Sequence, residues 1–149
     1  MQSEQKPIAL VSAEEEQAVG RSLLVWLNTC PTLTDRINFE YLPKDTPGIM
    51  MSTIQASLKT RQYITGGYEA QYQFSIVYRA QPDDNDSRLA ADELLNEIGI
   101  WAETSDTKPE LDRAVVRSVK RTSNASLLAV YEDGSRDHQI LMTMIYEVI

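Results

Sequence analysis

The run Gln71-Tyr72-Gln73-Phe74-Ser75-Ile76-Val77-Tyr78-Arg79 decides the fold class. On an extended chain, Tyr72, Phe74, Ile76 and Tyr78 fall on one side, and Gln71, Gln73, Ser75 and Arg79 on the other. Side chains of a strand alternate between faces, so the pattern predicts a strand with one face buried and one wet. Just ahead of it, Thr65-Gly66-Gly67-Tyr68 is a tight-turn signal, because glycine accepts the positive φ that hairpin turns demand. Further upstream, Ile49 to Ile64 is extended in character, with room for a bend midway. Arg36 to Tyr41 alternates, with Ile37, Phe39 and Tyr41 on one side, and Leu42 to Gly48 is a loop holding two prolines.

Helical spacing frames these strands. Ser12 opens a helix and Glu15 completes a capping box, in which hydroxyl and carboxylate satisfy reciprocal backbone donors. Val19, Leu23, Leu24, Trp26 and Leu27 form its apolar stripe, and Pro31 blocks continuation. Residues 1–11 before it are expected to be a flexible N-terminus. Gln81 to Ser87 reads as a polar loop ending in a helix cap at Asp86, with the helix running to about Glu103. At about 100° per residue, Ala91, Leu94, Leu95, Ile98, Trp101 and Ala102 share a core-facing arc. Asp92, Glu93, Glu97 and Glu103 lie outside that arc. So do Leu89 and Ile100, which are either covered by a loop or in contact with another subunit.

Downstream, Ala114 to Thr122 is a strand with basic positions. Leu127 to Glu132, the Asp133-Gly134 turn and His138 to Ile149 make a second hairpin. In the last strand both alternate sets are apolar, which predicts a central strand covered on both faces. The order is helix, about four strands, helix, three strands. The expected fold is one α+β domain over 1–149: a mixed or antiparallel sheet of about six to seven strands with two main helices.

The chain's 149 residues suit one domain. No apolar run approaches the roughly 20 residues of a membrane helix, and Met1 to Pro7 does not read as a signal peptide. The formal net charge is −8, from 22 acids and 14 bases, which argues against a general nucleic-acid binder. That charge is local. Residues 83–112 hold ten acids and two bases, and the remainder is neutral. Arg113, Arg117, Lys120 and Arg121 then invert the sign. Either the two segments solvate each other, or the acidic face of one copy meets the basic strand of another.

Groups capable of chemistry are few. The one cysteine, Cys30, sits where the first helix ends and reads as a packed thiol; one His and one Cys make a zinc site of the usual ligands a poor reading. Asp137 cannot easily orient its neighbour His138, because adjacent strand residues point to opposite faces. Gly66-Gly67 lacks the Lys and Ser/Thr of a phosphate loop. Asp83, Asp84 and Asp86 lack the glycine and glutamate of an EF-hand, which leaves only a loose cation site open. The seven tyrosines read as sheet and interface residues. No catalytic residue, metal site or cofactor is assigned.

Several ordered runs carry a resemblance. They are Trp26-Leu27-Asn28-Thr29-Cys30-Pro31, Asn38-Phe39-Glu40-Tyr41-Leu42, Lys59-Thr60-Arg61-Gln62-Tyr63 with Gly67-Tyr68, and Ala70-Gln71-Tyr72-Gln73-Phe74 with Tyr78-Arg79. Ala91-Asp92-Glu93-Leu94-Leu95 and Asp137-His138-Gln139-Ile140-Leu141-Met142-Thr143 follow. Together, over about residues 24–148, they resemble the minor capsid or tail-terminator family of tailed phages and prophages of Gram-positive bacteria.

The resemblance implies a structural virion protein without catalytic residues. It would form a ring, expected to be hexameric, at the head-proximal end of the tail tube, after assembly in the host cytoplasm. Its partners would be further copies of itself, the tail tube protein and the head-completion or connector protein. DNA would pass through the lumen without specific binding, and no membrane is involved. The acidic segment would suit such a lumen, but the inter-subunit use is preferred. A heterologous ring needs two different patches per subunit. The candidates are Leu89, Glu93 and Ile100 on the helix and Arg113, Arg117, Lys120 and Arg121 on the strand. A hairpin bearing Arg61, Tyr63, Gly66, Gly67 and Tyr68 is expected to project toward the tube or a neighbour. The alternatives are a head-completion or connector ring protein and a small acyltransferase-like enzyme. The latter places a histidine pair ahead of an Asp-Gly, whereas here Asp133-Gly134 precedes the lone His138.

Overall fold

Two strands of 13 residues organise the molecule: β4 (Tyr68–Ala80) and β7 (Arg136–Val148) pair antiparallel along their whole length, from Tyr68↔Val148 to Ala80↔Arg136. The computed structural model describes residues 9–33, 35–42, 47–80 and 85–149, the side chains of 85–88 excepted. The other elements are α1 (Ala13–Leu27), β1 (Ile37–Phe39), β2 (Gly48–Thr53), β3 (Leu58–Gln62), α2 (Asn85–Thr104), β5 (Ala114–Arg121) and β6 (Ser126–Val130). The sheet has seven strands. β1 runs parallel to β2, and every other pairing is antiparallel.

The outer edge of each long strand is shared by two short ones. β2 pairs with β4 at Phe74 to Arg79 and β3 at Tyr68 to Gln71, so β2 and β3 are one strand bent at 54–57, as the extended run from Ile49 allows. In the same way β5 pairs with β7 at Met142 to Val148 and β6 at Arg136 to Gln139. Thr122 N–H still donates to Leu141 O, and the Ser123 hydroxyl accepts from Leu141 N–H, across that second bend.

Both helices lie on one face. The cross-strand pairs Tyr72↔Met144, Phe74↔Met142 and Ile76↔Ile140 are fully or almost fully buried, in one cluster with Leu23 and Leu27 of α1 and Leu95 and Ile98 of α2. Each such side chain contributes about 1.5–3 kcal/mol by leaving water. Trp26 stacks on Trp101 at 4.7 Å between ring centroids, joining helix to helix, and donates its indole N–H to Thr107 Oγ1. β7 is therefore central, as its sequence predicts, but the helices cover only one of its faces. Leu141 and Ile145 lie on the other, half-buried beside Gln71 and Gln73 of β4 and Thr143.

Several local expectations change. Glu15 N–H does donate to the Ser12 hydroxyl, 3.2 Å, but the Glu15 carboxylate does not return to Ser12. It accepts instead from the Tyr68 and Tyr146 hydroxyls, the latter at 2.7 Å, tying α1 to β4 and β7. Residues 9–11 of the expected flexible stretch are pinned: Leu10 bridges Leu58, and Val11 is buried. β1 ends at Phe39 because Glu40 turns to a φ of 53°, so Phe39 and Tyr41 stay exposed and only Ile37 is buried. α2 starts at Asn85, which puts Asp86 inside the first turn rather than at the cap. The Asp83 and Asp84 positions and the Asp86 side chain lie outside the described residues.

Candidate functional site

The outer face of α2 is bare. Leu89 is 60% and Ile100 47% exposed, with Glu93 and Glu97 exposed beside them; among the described residues no loop covers either aliphatic. Asn96, on the same side by spacing, turns toward the sheet, where its Oδ1 accepts from Ala125 N–H at 3.0 Å. The face is thus apolar, flanked by carboxylates, and open.

The basic strand β5 is largely neutralised within the chain. Arg121 Nε lies 2.7 Å from Glu103 Oε1, and Arg121 N–H donates to Glu103 Oε2 at 3.1 Å. Arg117 reaches Glu147 at 2.8 Å, and Glu147 also accepts from the Tyr63 hydroxyl at 3.0 Å. Hydrogen bonds from Arg117 and Tyr63 hold the Glu147 carboxyl below its ordinary range, and Arg117 is raised by the same pairing. The register slips between Val116 and Ser118, a bulge at Arg117. Arg113 (φ 57°) and Lys120 remain exposed. The acidic and basic segments therefore meet within the chain at Glu103 and Arg121; Arg117 is exposed but paired, whereas Lys120 and, just ahead of the strand, Arg113 are exposed with no ion pair among the described residues.

The glycine hairpin forms where the sequence places it: Gly66 has φ 98°, Gly66 N–H donates to Tyr63 O at 3.1 Å, and Tyr63 N–H donates to Gly67 O at 2.8 Å. It is not a projecting arm. Tyr68 and Gln62 are already in the ladder, and Tyr68 pairs with Val148, so the turn lies flush with the end of β7. Tyr68 is held by Glu15 and by Lys59, whose Nζ sits 4.3 Å from the ring centroid. Arg61 and Ile64 are exposed. β3 and β5 flank the β4–β7 pair on opposite sides, so Arg61 and Lys120 mark opposite edges of the sheet.

His138 and Cys30 contact different neighbours. Cys30 is buried, its Sγ 3.2 Å from Thr32 Oγ1. His138 is buried with Nδ1 2.8 Å from Asp92 Oδ1. Asp137 points to the opposite face, as expected, where it takes Arg79 Nε at 2.8 Å and the Tyr131 hydroxyl at 2.5 Å. Asp92 is the contact that helical spacing did not reveal, being 46 residues away in sequence. Among the described residues no cluster of His, Cys, Asp and Glu is arranged to hold a metal, and no helix is long and apolar enough to cross a membrane.

No protein-family model matches the chain, and no curated protein matches it either.

Proposed function

We propose that this chain is a structural, non-enzymatic phage protein: a tail terminator whose copies form a ring on the head-proximal end of the tail tube. The observation that carries the reading is the open face of α2, where Leu89 and Ile100 sit uncovered among Glu93 and Glu97. Large aliphatics left in water beside carboxylates mark a contact surface, and the ordered runs quoted above give that contact its setting. A ring requires a second, different patch on each subunit. Arg61, on the sheet edge opposite β5, supplies positive charge on the far side of the subunit. The acidic α2 face of one copy then meets the β3 edge of the next, and Lys120 and Arg113 border the same contact. The ring caps the tube and offers its other side to the connector.

Electron microscopy of tails assembled with and without the protein tests this reading. Without it, tube protein polymerises past its normal length; tails of unchanged, uniform length would overturn the role.

A further inference from the structure

Two rows of side chains on opposite sides of the molecule share one pattern: aliphatic, charge, aliphatic. On α2, Leu89 (60% exposed), Glu93 and Ile100 (47% exposed) stand on one stripe. A helix rises about 1.5 Å per residue, so Glu93 lies about 6 Å and Ile100 about 16 Å beyond Leu89. At the β3 edge, Leu10 (62% exposed) bridges Leu58, Arg61 is exposed, and Ile64 in the hairpin turn is fully exposed. Leu58 pairs with Gln71 and Arg61 with Glu69, so a bulge at Thr60 leaves them two ladder steps apart on the same face. At about 3.3 Å per residue, Arg61 stands about 7 Å and Ile64 about 17 Å from the level of Leu10.

The two charges are opposite and available. Glu69 accepts from the Thr60 hydroxyl at 3.0 Å, and Glu147 is taken by Arg117 and Tyr63. Among the described residues neither Arg61 nor Glu93 has an ion pair. α2 packs over β4, β7 and β5, whereas β3 lies beyond β4 on the other side. The two rows therefore cannot meet within one chain.

We infer that the α2 row docks on the β3 row of the next copy in one register: Leu89 on Leu10, Glu93 on Arg61, Ile100 on Ile64. The inference rests on the ring reading above and deepens it, because it gives the charged contact two apolar seats and a direction, with α2 running parallel to β3. Each aliphatic leaves water against another, and each charge meets its opposite. Two unlike rows make the contact head to tail, so an open chain of copies keeps one free row at each end until the ring closes.

Disulfide trapping in the isolated full chain tests the register. In a Cys30→Ser background, Ile64→Cys mixed with Ile100→Cys is expected to give a linked dimer on mild oxidation. Neither variant alone, nor Ile64→Cys mixed with Leu89→Cys, is expected to link. Glu93→Arg and Arg61→Glu are each expected to weaken association at low salt by about tenfold or more, measured by light scattering across concentration. Both reversals in one chain are expected to restore it to within about threefold. Restoration separates a lost contact from a damaged fold, and circular dichroism melts confirm that each variant is folded. The absence of a 64–100 link, a 64–89 link, or a double reversal as weak as the single ones overturns the register. Tail length is read separately: tails of normal length without the protein, with the 64–100 link formed, sink the terminator role and leave this contact standing. Overlong tails with no 64–100 link do the reverse.

Discussion

Asp92 Oδ1 lies 2.8 Å from His138 Nδ1, so the chain's only histidine is fastened to the helix that crosses above it. The imidazole is buried on β7, its Nε2 has no partner among the described residues, and Asp92 is half-buried on α2. Removing the carboxylate leaves both ring nitrogens without partners in an apolar setting. Asp92→Ala is therefore expected to destabilise the fold by about 1–3 kcal/mol, the usual cost of an unsatisfied buried polar group. Urea denaturation measures it, and a change within error of zero would remove the pair from the account of stability.

A second clasp involves Glu15, whose carboxylate accepts from both Tyr68 and Tyr146. Burial, then the hydrogen bond to Glu15, raises both phenols above the ordinary tyrosine range. Below about pH 10 the phenols are protonated whether the chain is folded or not. Above it the unfolded chain releases these protons first, so stability is lost as pH rises. Part of the tyrosinate absorbance is expected to appear only with alkaline unfolding, and Tyr146→Phe should diminish that late component. A titration complete before the circular dichroism changes would contradict it.

The two turn glycines are indispensable for different reasons. At Gly66 the space around the Cα is open but φ is 98°, so alanine there costs backbone strain of about 1–2 kcal/mol. At Gly67 φ is unremarkable, but an added Cβ would run into the carbonyl oxygen of Val148. That obstacle is backbone within the central ladder and cannot rotate aside. Gly67→Ala is expected to cost about 1–3 kcal/mol, as overpacking does, and to loosen the end of β7. Thermal melts give the cost, and amide exchange at Tyr146 to Val148 gives its location.

Much of the architecture was legible because its signals are periodic. The alternation at Tyr72 to Tyr78, the turn at Gly66-Gly67 and the arc through Leu95 and Ile98 each encode a local geometry. What escaped was carried by polar side chains acting over long separations. Glu15 meets its predicted spacing for a capping box, yet its carboxylate satisfies two tyrosine hydroxyls, which spacing within a helix does not report. Asn28, Asn96 and Glu103 look like ordinary exposed helix residues, but each takes a backbone N–H at or beside a strand edge. The doubly apolar pattern of β7 also misled. Leu141 and Ile145 imply cover on a second face, whereas both helices converge on the Trp26–Trp101 side.

The charged contact offers the last test, and the in-chain pairs decide which residues can report on it. Arg117→Glu would confuse two effects, because it also breaks the pair with Glu147 that joins β5 to β7. Arg121 is compromised in the same way by Glu103. Lys120 and Arg61 are exposed and stand on opposite edges of the sheet, so Lys120→Glu with Arg61→Glu reverses charge on both sides of the subunit without opening either pair. At low salt the double variant is expected to weaken ring formation by tenfold or more, roughly 1.4 kcal/mol, and to leave the melting temperature nearly unchanged. Raising salt to about 1 M should weaken the ring of the unmodified chain in the same direction. Assembly indifferent to both the charge reversal and the salt would place the ring contact elsewhere than on α2 and the β3 edge.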